Sequence, residues 1–447
     1  MRHPDPVETR LELLDVVRRA FDWIGSVAVD VDGGLGWLDG GVLVDDLYSG
    51  TAGVLAGCAE AAAAGLGTAL GTGTAGSGAA GSGAAQVSAG ARARLLELAT
   101  RGPGVATLPD DGLFSGWAGV AVALRAWSRA TGDVAAASAA GQLTSQIAGR
   151  ILQTPASRPE CTDVISGDAG ILLALLADDS GFAGDSGAAV RAAHVLAGRL
   201  AEAAEPGPDG LHWRMAVGYE NLMPGFSHGT AGVAYALAAA GRTLNRGDLV
   251  HVATRGACAL LAIGHHPSGW AVPLAIPPGP SGLTVAYGWC HGAAGTVRLF
   301  LLLNEIDPQP RWQHAVDACL QALRDSRLPA RLYPGYWDNL ARCCGTAGVG
   351  QLLLDRYQAT GDNALLDWAG LLAADVAGRA VSTSHGLTWS NTEYTRTLPE
   401  LPPEPGFMQG AAGIAGWLAR LHALRAHAVH PRSAAAPVLA RPGPSWL

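Results

Sequence analysis

Three cysteines stand at two points of the chain that share one local pattern. Trp289-Cys290-His291-Gly292-Ala293-Ala294-Gly295 and Arg342-Cys343-Cys344-Gly345-Thr346-Ala347-Gly348 each carry sulfur into a Gly-x-x-Gly turn. Two adjacent cysteines and a third in an equivalent context form a donor set for a soft divalent ion, and they read as three thiolate ligands of one Zn2+. The competing reading is that they are small buried hydrophobes, as most free cysteines are. Adjacency and repeated context argue against it. Cys58, Cys161, Cys258 and Cys319 lack that context and read as packing residues.

The elements that would position these sulfurs are repeats. Gly-x-x-Gly, usually with Ala before its second glycine, recurs at Gly50, Gly116, Gly167, Gly229, Gly292, Gly345 and Gly410, in steps of 66, 51, 62, 63, 53 and 65 residues. Each step suits two helices and their loops. An apolar segment follows every pair, such as Val54 to Ala64 or Val233 to Ala240, and reads as a buried inner helix. More charged helices lie between, such as Arg246 to Ile263 and Trp312 to Arg324. The first glycine is expected to permit a tight turn, with positive φ, and the second a close approach of backbones.

The fold class this predicts is all-α: an (α/α)7 toroid of seven inner and seven outer helices, its seven turns gathered at one end. Residues 1–40 read as an N-terminal helical extension, 41–425 as the toroid, 65–90 as a flexible Ala/Gly/Ser insertion, and 426–447 as an irregular tail. Residues 273–282 and 398–406 also read as irregular. Leu211–Arg214 and Gly386–Trp389 read as short hairpin arms in loops. If the turns meet, the residues before each first glycine converge on one cleft; the strong metal ligands among them fall in consecutive repeats. Trp117, Tyr336 and Trp337 could line that cleft or pack in the core.

The chain is 49% apolar and 15% charged, so its 447 residues can bury a large core. A net charge of -8 without a basic run argues against a nucleic-acid partner. Seven cysteines without framework spacing indicate reduced thiols and a cytoplasmic setting. Neither a signal peptide nor an apolar run long enough to span a bilayer is evident.

The ordered set Phe226-Ser227-His228-Gly229, Trp289-Cys290-His291-Gly292 and Cys343-Cys344-Gly345 resembles the LanC-like lanthionine synthetase family, the cyclases of lanthipeptide biosynthesis. The resemblance runs through all seven repeats, from about residue 40 to 425. It implies an α/α toroid with zinc near its centre and the intramolecular addition of peptide cysteine thiols to dehydroalanine or dehydrobutyrine, giving lanthionine and methyllanthionine thioethers. By motif, Cys290 and Cys343 match the first two zinc ligands, and Cys344 stands where most members have histidine. Three thiolates on Zn2+ leave a net charge of -1, so more electron density reaches the metal.

Such a reaction needs a deprotonated substrate thiol, stabilisation of charge on the carbonyl oxygen as sulfur attacks, and an acid that protonates the α carbon. The resemblance implies His228 and Asp163 for the last two roles. His291, the third candidate catalytic residue, replaces a tyrosine of some members; Ala286 stands where some carry arginine, a place that Tyr287 or His291 could fill. Without a site, His228 would brace a turn, Asp163 would cap one, and His291 would support a cysteine. The implied partners are a dehydrated precursor peptide, leader plus core, and a separate dehydratase, since no such module precedes residue 40. The alternatives are a glutathione or thiol transferase to dehydroamino acids, and a non-catalytic zinc-stabilised peptide-binding scaffold. A metal-free toroid with paired carboxylates, as in carbohydrate-active enzymes, finds no acidic pair at the turns.

Overall fold

A computed structural model describes residues 6–66, 83–102, 104, 106–154, 159–177, 187–266, 269–277, 285–330, 339–390, 401–429 and 444. Tyr336, Trp337, residues 67–82 of the Ala/Gly/Ser tract, 278–282, 398–400 and the tail beyond 429 except 444 lie outside the described residues. In chain order the helices are α1 (Pro6–Ser26), α2 (Thr51–Ala61), α3 (Gly83–Arg101), α4 (Trp117–Thr131), α5 (Val134–Gln153), α6 (Asp168–Leu176) and α7 (Gly187–Glu202). They continue as α8 (Thr230–Thr243), α9 (Gly247–Ile263), α10 (Ala293–Ile306), α11 (Pro310–Asp325), α12 (Thr346–Thr360), α13 (Asn363–Gly378) and α14 (Ala411–Val429).

Even-numbered helices form the inner layer. α2 is buried along its whole length and α4 from Trp117 to Trp127, because small and aliphatic residues face every direction. Each inner helix packs on the next, and α14 packs on α2, so the ring closes. Odd-numbered helices form the outer layer and bury one stripe each, as α5 does with Ala136, Ala140, Leu143, Ile147 and Ile151. The segment read as an N-terminal extension supplies the seventh outer helix: α1 packs on α14 and α3. α3 starts inside the tract read as irregular, since Ala84, Val87, Ser88 and Ala91 give residues 83–90 a buried helical stripe.

Close approach, and not positive φ, explains the glycine pairs. The first glycines of the first six pairs are extended, with φ from -95° to -159°. A Cβ on Gly229 would lie 1.3 Å from the Met223 carbonyl oxygen, and one on Gly348 2.1 Å from that of Arg342. Squeezed together this way, the turns hydrogen-bond to one another. Tyr48 N–H donates to the Phe114 carbonyl, Phe114 to Ile165, Val164 to Ser227, Ser227 to Cys290, Cys290 to Cys343, Cys343 to Met408, and Met408 back to Tyr48, all at 2.8–3.1 Å. These seven bonds form a circle around the toroid axis.

A second repeat escaped the sequence reading in part. Strands β1 (Val29–Val31), β2 (Gly34–Asp39), β3 (Val42–Val44), β4 (Glu205–Gly207), β5 (Gly210–His212), β6 (His265–His266), β7 (Gly269–Trp270), β8 (Val381–Thr383) and β9 (Gly386–Thr388) make small antiparallel sheets. Three of them carry Gly-Leu-x-Trp. The indoles of Trp37, Trp213 and Trp389 donate to carbonyls of Ile24, Leu200 and Val376, in each case 13 residues earlier, near the end of the preceding outer helix. Both expected hairpin arms, at 211–214 and 386–389, are members of this set.

Candidate metal and acid–base site

The residue directly before each first glycine lies just above the hydrogen-bonded circle. In ring order these are Ser49, Ser115, Ser166, His228, His291, Cys344 and Gln409. One position earlier stand Tyr48, Phe114, Ile165, Ser227, Cys290, Cys343 and Met408, whose backbones make the circle. Next to Cys290 in sequence, Trp289 meets Phe114 and Phe226 edge-on at 5.4 and 5.5 Å, a buried aromatic cluster.

The three expected ligands come together. The sulfurs of Cys290, Cys343 and Cys344 lie within 4.8 Å of one another, with Cys290 Sγ and Cys344 Sγ 3.4 Å apart. All three residues are buried. Among the described residues no fourth His, Cys, Asp or Glu belongs to the cluster. Tetrahedral coordination with bonds of about 2.3 Å puts sulfurs about 3.8 Å apart, so the arrangement matches three corners around one ion. The neighbouring thiols of Cys290 and Cys344, with burial, push the Cys343 thiol well above its ordinary value. Three buried thiolates therefore need a cation to coexist.

His228 and Asp163 also meet. His228 Nδ1 lies 2.6 Å from Asp163 Oδ2, while Asp163 Oδ1 accepts the backbone N–H groups of Ser166 and Gly167 at 2.8 and 2.9 Å. A carboxylate so occupied accepts from Nδ1–H, which leaves Nε2 as the exchangeable atom of the imidazole. Asp46 Oδ1 takes the same two backbone bonds, from Ser49 and Gly50, at the equivalent place in the first repeat. The capping role weighed for Asp163 is thus present, on one oxygen; the other holds the histidine.

His291, next in sequence to Cys290, has its ring 5.6 Å from that of His228, tilted by 34°. Burial, reinforced by His228 and opposed by Cys344, lowers its pKa to about 4. Ala286 is fully buried. Trp117 is a core residue. Burial pushes up the thiols of Cys58 and Cys319, consistent with packing. Cys161 instead touches Asp163 Oδ1 at 3.3 Å.

Sequence reasoning placed Tyr48 and Gln409 at the cleft without giving them a role, and passed over Asn339. Burial, followed by the nearby sulfurs of Cys343 and Cys344, raises the Tyr48 phenol well above its ordinary value and keeps it protonated. Gln409 Nε2 lies 3.5 Å from Cys344 Sγ and 3.2 Å from the Tyr48 hydroxyl. Only their place in the repeat, at the same turn positions as the ligands, could have singled out Tyr48 and Gln409.

The family model for lanthionine synthetase C-like proteins matches residues 41–430. Among solved structures, nisin cyclase superposes with a TM-score of 0.57 at 16% identity, covering 86% of this chain and 92% of that one. The Lin0763 protein from Listeria innocua reaches 0.45 at 12% identity, covering 70% and 86%. Cellobiose 2-epimerase from Spirochaeta thermophila reaches 0.44 at 13%, covering 96% and 98%. These likenesses bear on fold alone, and the last two scores are too low for argument. No curated protein sequence matches the chain.

Proposed function

The chain belongs to the lanthionine synthetase C-like family, and on that premise we propose that it is a zinc-dependent lanthipeptide cyclase. The observation that carries the proposal is the buried three-sulfur cluster standing beside a hydrogen-bonded His–Asp pair at one end of the ring. Cys290, Cys343 and Cys344 would hold Zn2+, which when bound supplies a vacant fourth position that lowers the pKa of an incoming thiol.

The reaction adds a peptide thiol across the Cα=Cβ bond of a dehydroamino acid. The S–H bond gives up its proton, a C–S bond forms at Cβ, the π electrons move toward the carbonyl, and Cα then takes a proton, so the proton lost by sulfur balances the one gained by carbon and no other group leaves. The chain's own part is acid–base work. Asp163 fixes the His228 tautomer through Nδ1 and stabilises the imidazolium form, which gives the Nε2 proton to Cα. His291, close beside His228, presents a neutral ring toward the developing enolate.

The dehydrated precursor peptide would come from a separate dehydratase. Among the described residues no helix is long and apolar enough to cross a membrane. The direct test has two parts. Metal analysis should find one zinc per chain. Incubation with a dehydrated, cysteine-containing precursor should then hide its thiol from alkylation without a mass change. A zinc-loaded protein that leaves the thiols of its natural precursor free would refute the cyclase reading.

A further inference from the structure

The hydrogen bonds behind the sulfurs run in one direction. Asn339 Oδ1 accepts the Ala341 backbone N–H at 2.9 Å, which fixes the orientation of that amide. Its Nδ2 must then face outward, and it donates to Gln409 Oε1 at 3.0 Å. Gln409 is thereby oriented in turn, with Nε2 toward Cys344 Sγ at 3.5 Å and the Tyr48 hydroxyl at 3.2 Å. Since the Tyr48 oxygen accepts from Gln409 at 3.2 Å, its own proton is left free to turn toward the neighbouring sulfur of Cys343. Asn339 and Gln409 are buried, so water does not compete for the hydrogen bond between them; Tyr48 is half-buried at the end of the relay.

We propose that Asn339, Gln409 and Tyr48 form a one-way donor relay that delivers an N–H to Cys344 and an O–H to Cys343, positioning both sulfurs and withdrawing charge from them. The inference rests on the zinc reading above. Its chemical logic is that a three-sulfur site is the most electron-rich version of such a centre. Donors behind two of the sulfurs limit how much charge reaches the metal, as outer hydrogen bonds do at metal sites generally. The relay joins residues of the first and last turns to the sixth, so it also ties the seam of the ring to the cluster. These three are positioning residues and need not touch substrate.

The test uses full-length protein with Co2+ in place of zinc, because sulfur-to-cobalt charge-transfer bands report how electron-rich the sulfurs are. Tyr48→Phe and Gln409→Leu should move the band to longer wavelength, and a chelator should remove zinc from either variant about 10-fold faster or more. Asn339→Asp is the stringent case, since it touches no sulfur. Its carboxylate only accepts, so Gln409 must turn its N–H groups away, and the band should move as in Gln409→Leu. Asn339→Ser, which can still donate, should restore much of the wild-type spectrum. If all variants fold by circular dichroism and share the wild-type band and zinc-release rate, the relay is overturned while the zinc reading stands. A wild-type protein that takes up neither metal overturns both.

Discussion

Replacing Asp163 by Asn separates its two jobs. The amide Oδ1 can still accept from Ser166 and Gly167, so the turn before α6 is kept. The other half of the side chain becomes an N–H donor facing His228 Nδ1, where the native distance is 2.6 Å. Nδ1 must then accept, the tautomer inverts, and an imidazolium at this place loses its charged partner. A hydrogen bond to a charged group contributes about 1.5–3 kcal/mol, which at about 1.4 kcal/mol per tenfold is roughly a 10- to 150-fold loss of rate. The inverted tautomer adds to that, within the roughly 10^4-fold span of general acid catalysis. Initial rates of thioether formation on a dehydrated precursor, followed by alkylation and mass analysis at equal zinc loading, measure the effect. Thermal stability should change little, whereas Asp163→Ala should lower it by about 1 kcal/mol or more through loss of the turn acceptor. An Asp163→Asn protein with full zinc that cyclises within threefold of wild type would show that the pair takes no part in the chemistry.

Other outcomes follow from the same geometry. Cys343→Ala should reduce zinc from one equivalent to a small fraction and abolish cyclisation, while Cys319→Ala, outside the three-sulfur cluster and buried in α11, should leave metal content unchanged. Burial raises the Asp168 carboxyl to about 6 from its ordinary 3.8. A raised folded pKa means a stabilising contribution that is full below about 4 and lost as pH rises through 6, worth about 3 kcal/mol over that window. Asp168→Asn should therefore flatten the urea midpoint between pH 4 and 6; an unchanged pH profile would refute the assignment. Trp213→Phe removes the 2.7 Å bond to the Leu200 carbonyl and leaves a buried acceptor. It should cost about 1–3 kcal/mol in denaturant melts with zinc content intact.

Much of this architecture could be read from the chain because its two informative signals are local. Gly-x-x-Gly marks where backbones touch, and all-apolar runs mark the inner helices; together they place the cysteines at neighbouring turns. What stayed hidden depends on closure. Nothing in residues 6–26 announces that α1 stands in the outer layer, since that role exists only once α14 has come round to meet it. The first turn glycines read as permitting positive φ, whereas what they meet is a carbonyl six residues earlier, a crowding that is a property of the folded turn. The relay was invisible for a similar reason: Tyr48 and Gln409 are separated by 361 residues and meet only across the seam. Asp163 was found by its motif, but that one oxygen serves the turn and the other His228 emerges only from coordinates.

The circle of backbone hydrogen bonds sets this protein apart from open repeat arrays, which lengthen or shorten by whole units because each unit answers only to its neighbours. Here Met408 N–H must find Tyr48 for the circle to exist at all. Gene duplication of a single unit would leave a gap or an overlap at that junction, and the three sulfurs, hung from consecutive links, would feel the mismatch. The number seven is thus frozen by geometry, leaving change in the chain to the connecting segments and to the side chains displayed on the rim.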